Sequence, residues 1–189
     1  MVDLVSLHKH FILEHLGEGD AAVDFTMGNG NDTLFLSKTV GEAGKVYAFD
    51  IQPEALVSTE AFLKENGAPE NYQLICASHH RVKEFVDGPI KAGMFNLGYL
   101  PRSGKKAVTT MRETTMPAVE AAIDLLAPDG ALIVAIYPGH EEGAAEGDML
   151  REYFKTLSRF KICASEFHIL NSPTSPYFFL VEKSPRCKM

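Results

Sequence analysis

Cysteine is scarce in this chain: Cys76, Cys163 and Cys187 are the only three, widely spaced and in no Cys-x-x-Cys pair. Neither a disulfide frame nor a zinc site is indicated. Cys76 and Cys163 fall in apolar runs and are expected in the core. No apolar run approaches the ~20 residues needed to span a bilayer, and no basic-then-apolar leader opens the sequence. A cytoplasmic protein without a membrane partner is therefore expected. Acid is missing from one window: between Gly88 and Arg112 there is no Asp or Glu, while Lys91, Arg102, Lys105, Lys106 and Arg112 are basic. The net charge of −7 argues against a surface coated in nucleic acid. Against that background the window is either a local phosphate-binding face or a solvated loop.

What the chain does have is concentrated in Ala21-Ala-Val-Asp-Phe-Thr-Met-Gly-Asn-Gly-Asn31. A short apolar run ends in Asp24, a glycine turn follows, and 32–40 reads as a helix with Asn31 or Asp32 as its N-cap. Strand, glycine turn and helix start together suit a nucleotide-like cofactor. Gly28 and Gly30 let backbone approach the ligand, and the helix start offers unpaired N–H groups. A second apolar run, Lys45-Val-Tyr-Ala-Phe-Asp50, ends about twenty residues after Gly30 in an acid that can accept hydrogen bonds from both hydroxyls of a ribose.

Two cofactors compete for such a turn. A dinucleotide site favours Gly-x-Gly-x-x-Gly, but here the register is Gly28-Asn-Gly30-Asn-Asp-Thr33 and the third glycine is missing. A pyrophosphate also sits poorly beside Asp24 and Asp32. S-adenosyl-L-methionine carries an ammonium and a sulfonium, which suit the acceptor-rich mouth of Asp24, Asn29, Asn31 and Asp32. A plain turn is the bland alternative, since Gly and Asn dominate turns. The second acid at Asp50 weighs against it.

Along the rest of the chain, Leu4 to Leu16 has helical spacing and carries His8, His10 and His15. His8 and His15 are seven apart and could share a face, but no metal site is expected there. Pro53 suits the first turn of a helix running to about Glu65, with Ile51 and Gln52 following Asp50 at the mouth. Tyr72 to Cys76 is the third strand, and Ser78 and His79 lie at its carboxyl end, where open α/β sheets bind ligands. His79 is either catalytic or packed against an adenine. Ile90 to Asn96 is the fourth strand, ending in Asn96-Leu-Gly-Tyr99-Leu-Pro101. The Asn96 amide oxygen can accept a hydrogen bond from an amine, and Tyr99 can stack on a base. Thr115 to Leu126 is a helix with Thr115 as N-cap and Pro117 in its first turn. Ala131 to Tyr137 is a buried strand, followed by Pro138-Gly-His140. Ala144 to Arg159 is a helix, and Ile162 to Ile169 and Tyr177 to Glu182 are closing strands. The alternation predicts one α/β domain over residues 1–189. It has seven strands, mainly parallel, with helices on both faces and a hairpin-like last pair, the Rossmann-like layout of class I methyltransferases.

Four stretches carry a resemblance over nearly the whole chain: Asp24-Phe-Thr-Met-Gly-Asn-Gly-Asn-Asp-Thr33, Ala48-Phe-Asp-Ile-Gln52, Phe95-Asn-Leu-Gly-Tyr-Leu-Pro101 and Tyr137-Pro-Gly-His140. They look like a small bacterial family once labelled as an rRNA methylase and now associated with MnmM, the tRNA wobble-uridine methyltransferase. The resemblance implies S-adenosyl-L-methionine as cofactor, the tRNA anticodon region as partner, and a homodimer. The reaction it implies is N-methylation of the 5-aminomethyl group of 5-aminomethyl-2-thiouridine. Carried over by motif, Asn29, Asn31, Asp50, Gln52, Ser78 and His79 would hold the cofactor, and Asn96 and Tyr99 would face the amine. Phe25 stands where a small residue is expected, and Arg102-Ser103 departs from a glycine-rich continuation.

An alkylamine is largely protonated near neutral pH, and His79 and His140 are the candidates by type to take its proton. Methyl transfer to rRNA or to a small molecule is the first rival. A nicotinamide dehydrogenase and a non-catalytic cofactor sensor are the others.

Overall fold

The computed structural model describes residues 4–97, 111–139, 141–172 and 174–185. The order is α1 (Leu4–Leu13), β1 (Ala21–Asp24), α2 (Asn31–Val40), β2 (Lys45–Asp50), α3 (Pro53–Glu65) and β3 (Tyr72–Cys76). A 3-10 turn (His79–Glu84), β4 (Ile90–Leu97), α4 (Arg112–Leu125), β5 (Leu126–Ile136), α5 (Glu141–Thr156), β6 (Ile162–Phe167) and β7 (Tyr177–Lys183) follow. The seven strands form one sheet in the order β3-β2-β1-β4-β5-β7-β6. β1 to β5 run parallel, whereas β7 is antiparallel to both β5 and β6. The expected seven-stranded, mainly parallel sheet with a closing hairpin is therefore what the chain forms.

Both faces of the sheet are covered, as parallel strands require. On one face Ala22, Val46, Ala92, Met94 and Ile133 meet Ile12 and Leu16 near α1 and Leu36 and Val40 of α2. On the other, Val23, Phe49, Phe95, Leu132 and Val134 meet α4, α5 and the 3-10 turn through Ala118, Ala122, Leu150, Phe154 and Val82. The alternation of side chains along each strand sends neighbours such as Met94 and Phe95 into opposite layers.

Several local expectations are corrected. Gly30, not Asn31 or Asp32, occupies the N-cap of α2, with φ 80° and no side-chain cap. Its N–H bonds back to Met27 O at 2.8 Å, and its own carbonyl accepts from Leu34 N at 2.8 Å. α4 starts at Arg112 with Met111 as N-cap, which leaves Pro117 inside the helix. The Met111 carbonyl accepts from the N–H groups of both Thr114 and Thr115. The Thr115 hydroxyl donates to the buried Glu146 of α5 instead of capping. α5 begins at Glu141 rather than Ala144. Cys76 is exposed and Cys163 is half-buried. Both lie on edge strands, β3 and β6, where one face of an apolar run is left uncovered. The 3-10 turn was not anticipated. Among the described residues, no helix is long and apolar enough to cross a membrane.

Candidate active site

Asp24, Asp50, Ser78 and Asn96 stand at or just beyond the carboxyl ends of four strands that are neighbours in the sheet, β1, β2, β3 and β4. The turn after β1 is fastened from below and from the side. Gly28 N–H donates to Asp50 Oδ2 at 3.0 Å, and Gln52 N–H donates to Asp50 Oδ1 at 2.9 Å. Thr59 of α3 donates its hydroxyl to Gly28 O at 3.0 Å. Each oxygen of Asp50 keeps a further lone pair, which is what a ribose diol needs. Asn29, Asn31 and Ile51 are exposed around this turn, and Gln52 and Ser78 are half-buried.

Asp24 lies beneath the turn rather than on the pocket wall. It is fully buried, accepting from Thr33 Oγ1 at 2.7 Å and from Thr26 N–H at 3.1 Å. Burial, reinforced by the charge of Asp32, pushes its carboxyl up to about 7. Burial likewise raises Asp50. Thr33 occupies the position where a dinucleotide fingerprint would place its third glycine, and its hydroxyl braces the acid instead.

Asp32 faces two partners. Its Oδ1 lies 2.9 Å from Lys9 Nζ, and its Oδ2 accepts from Asn96 Nδ2 at 2.7 Å. Asn96 N–H donates to Thr26 Oγ1 at 2.7 Å, and its Oδ1 lies 3.4 Å from the Tyr137 hydroxyl. Burial, and then the charge of Asp32, hold the Tyr137 phenol above its ordinary range, so it remains a donor. Lys9, Thr26, Thr33, Thr59 and Tyr137 were not singled out from sequence. Thr26 and Thr33 lie within the glycine-turn stretch and Tyr137 opens the Tyr137-Pro-Gly-His140 stretch, whereas Lys9 and Thr59 carry no local signal.

His79 is turned away from the crevice. Its ring is buried, with Nδ1 3.2 Å from Phe25 O and an edge-on contact to Phe95 at 5.9 Å. Burial lowers it to about 4, so the ring is neutral. A sealed, neutral imidazole whose Nδ1–H is committed to a backbone carbonyl is a packing element. Only the backbone of this residue, at the start of the 3-10 turn, remains to meet a cofactor. Tyr99 and His140 lie outside the described residues.

The basic window does not form one face. Lys91 pairs with Asp129 and sits at the beginning of β4, the end of the sheet remote from the crevice. Arg112 pairs with Glu142 at 3.1 Å. Arg102, Lys105 and Lys106 lie outside the described residues. The three histidines near the N-terminus also diverge: His8 packs against Phe178, His10 faces Glu14, and His15 bonds Asp129 O at 2.6 Å.

The donor set therefore fits a cationic, ribose-bearing cofactor. Asp32 and Asp50 supply negative charge around a turn that has no room for a side chain at Gly30. A phosphate group would meet those same carboxylates with repulsion.

Comparison with known proteins supports this assignment. The family described as "Putative rRNA methylase" matches residues 46–183. A protein of Arabidopsis thaliana named tRNA (mnm(5)s(2)U34)-methyltransferase, chloroplastic, is 34% identical over 185 residues, 92% of this chain and 67% of that protein. A crystal structure of an rRNA methylase so described from Clostridium thermocellum superposes with a TM-score of 0.93 at 36% identity, covering 97% of this chain and 98% of that one. A methyltransferase so described from Streptococcus mutans, solved in complex with SAH, gives 0.87 at 34% identity, covering 97% and 99%. The chain belongs to this rRNA methylase family and is a methyltransferase whose methyl donor is S-adenosylmethionine.

Proposed function

We propose that the protein N-methylates the 5-aminomethyl group of 5-aminomethyl-2-thiouridine at wobble position 34 of tRNA, giving the 5-methylaminomethyl form. The observation that carries this reading is the Asn96 amide, whose nitrogen is tied to Asp32 and whose oxygen, accepting from the Tyr137 hydroxyl at 3.4 Å, keeps a second lone pair for an acceptor amine. An amide oxygen binds an amine N–H and leaves the nitrogen lone pair free. The name of the Arabidopsis relative favours tRNA as the carrier of that amine.

Asn29, Asn31, Asp50, Ile51, Gln52, Ser78 and the backbone of His79 hold the cofactor, around the turn of Gly28 and Gly30. Asp24 braces the turn from below through Thr33 and Thr26. The bound cofactor supplies an electrophilic methyl on a sulfonium. The wobble base enters the crevice unstacked, as enzymes acting on bases require. Tyr99 stacks on it, and Asn96 aims the amine at the methyl carbon from about 3 Å. The nitrogen lone pair forms the new N–C bond as the C–S bond breaks, and the sulfur keeps the electron pair. An alkylamine must first lose a proton. His79 is sealed in the core, so His140 is the chain's remaining candidate to take it.

The whole of residues 1–189 acts as one catalytic domain in the cytoplasm, and we take the working form to be a homodimer. Phe160 and Leu170, 92% and 87% exposed at the two ends of β6, favour a partner on that sheet edge.

Mass spectrometry of tRNA nucleosides from cells lacking the gene tests the reading. Accumulated 5-aminomethyl-2-thiouridine, with loss of its N-methylated form and restoration by the intact gene, is the expected result. An unchanged wobble nucleoside would overturn it and turn attention to rRNA, which the family description suggests.

A further inference from the structure

The Asn96 amide has two chemically opposite ends, and methyl transfer to an amine tolerates only one orientation. An NH2 aimed at the acceptor would hydrogen-bond its lone pair and block attack. The oxygen instead binds an N–H and leaves the lone pair exposed. Something must decide which end faces the crevice, and backbone geometry alone cannot, because the side-chain torsion of Asn is roughly two-fold.

Asp32 supplies the stronger part of the decision, and the Tyr137 hydroxyl, donating to Asn96 Oδ1 at 3.4 Å, favours the same orientation more weakly. A carboxylate only accepts, so the 2.7 Å contact between Asp32 Oδ2 and Asn96 fixes the amide nitrogen on the Asp32 side. Reversal would set amide oxygen against carboxylate oxygen and forfeit a charge-assisted hydrogen bond. The same bond polarises the amide and strengthens Oδ1 as an acceptor. Asp32 is itself steadied by Lys9 at 2.9 Å, and its side chain is only 12% exposed. Lys9 belongs to α1, and its ammonium also lies 5.1 Å over the Phe35 ring of α2. Without that cation the charge of Asp32 would stand unbalanced close to the buried Asp24 carboxyl, which it already helps to push up.

We propose that the Lys9–Asp32 ion pair is a positioning device that sets the Asn96 amide with its oxygen toward the acceptor amine. Asp32 is then not a cofactor ligand, and α1 is part of the active site although it precedes the cofactor-binding strands. The inference rests on the reading that Asn96 faces the acceptor.

The test compares Asp32→Ala, Asp32→Asn, Lys9→Met and Asn96→Ala, with the double variant Asp32→Ala/Asn96→Ala. Each is assayed for methyl transfer to unfractionated tRNA from the deletion strain and, by calorimetry, for binding of S-adenosylhomocysteine. Asp32→Ala is expected to lower kcat about tenfold or more while changing S-adenosylhomocysteine affinity less than about threefold. Asp32→Asn should recover part of the rate, since its carbonyl can still accept from Asn96; Lys9→Met should fall between that and the parent. In the Asn96→Ala background, removing Asp32 should change kcat less than about twofold. Parallel loss of cofactor affinity and kcat, or losses that multiply in the double variant, would overturn the proposal. If Asp32→Ala fails to fold, Asp32→Leu, which is close to Asp in size and also lacks an acceptor, carries the same comparison. A normal kcat in Asn96→Ala would remove the underlying reading and the device together. A slow Asn96→Ala beside a normal Asp32→Ala would remove the device alone.

Discussion

Thr59 fills the space that a side chain on Gly30 would need: a Cβ there would lie 2.7 Å from Thr59 Cγ2. The hydroxyl of the same threonine holds Gly28 O at 3.0 Å, so α3 presses the cofactor turn into shape from outside. Gly30 also sits at φ 80°, the left-handed region. Gly30→Ala therefore meets a backbone penalty of roughly 1–2 kcal/mol and an overpacking cost of about 1–3 kcal/mol. The expected fall in Tm is on the order of 5–15 °C, with weaker S-adenosylhomocysteine binding. Thermal unfolding and calorimetry check both, and an unchanged Tm would overturn both the left-handed backbone penalty and the crowding by Thr59.

Asp50 does two things at once, ordering the turn through Gly28 N–H and Gln52 N–H and offering its outer lone pairs to a ribose. Hydrogen bonds to a charged group are worth about 1.5–3 kcal/mol each, so Asp50→Ala should weaken S-adenosylhomocysteine binding by at least about tenfold. Asp50→Asn should fall between, because an amide must turn its NH2 toward one of those two N–H donors. Titration calorimetry reads both variants. Equal affinity in the parent and in Asp50→Ala would end the ribose assignment.

The sheet was legible because each strand announced itself twice, by an apolar run and by the punctuation after it. Lys45 to Asp50, Tyr72 to Cys76 and Pro53 to Glu65 have the expected bounds. Errors arose where a tertiary partner outcompeted a local preference. Thr115 is a good capping residue, yet its hydroxyl goes to Glu146, thirty-one residues away. Cys76 reads as core from its neighbours, but which strand lies at a sheet edge depends on the order of all seven strands. The same holds at the site. Asp24, Asp50 and Asn96 end strands and could be found by position, whereas Lys9 reaches Asp32 only through the docking of α1. Nothing in the local sequence of α1 distinguishes Lys9 from a solvated lysine.

Asp24 and His79 are buried close together, near Phe25, and they titrate in opposition. The Asp24 carboxyl is raised to about 7. The folded state therefore holds a proton that the unfolded chain releases above about pH 4, and this contribution to stability is lost as pH rises from about 4 to 7. His79 is lowered to about 4, so the unfolded chain takes up a proton that the folded chain refuses. Its contribution is present above about pH 6.5 and lost as pH falls toward 4. Between about pH 4 and 6.5 the two oppose each other. Relative to the parent without cofactor, Asp24→Asn should therefore unfold at temperatures that rise more steeply with pH across this interval. His79→Asn should shift the slope the other way. Melting curves at several pH values decide the matter, and slope changes of the same sign in both variants would refute it.

Phe25 explains a glycine that otherwise weakens a central strand. Its ring stacks on Phe95 with centroids 4.0 Å apart and planes within 5°. A Cβ on Gly93, two residues before Phe95 on β4, would lie 2.9 Å from Phe25 Cε2 and 2.5 Å from Leu132 Cδ2. The bulky Phe25, where a small residue was expected, is thus accommodated by Gly93 across the β1–β4 boundary. Gly93→Ala should cost about 1–3 kcal/mol by overpacking. Phe25→Leu removes the ring and should relieve part of that cost, so the double variant should be more stable than the summed losses predict by at least about 0.5 kcal/mol. Denaturant unfolding of the four proteins in the cycle measures the coupling. Phe25 also follows Asp24 directly and offers its carbonyl to His79, so the repacked double variant should bind S-adenosylhomocysteine better than Gly93→Ala alone. Strictly additive losses would show that Leu132, rather than Phe25, is what keeps position 93 free of a side chain.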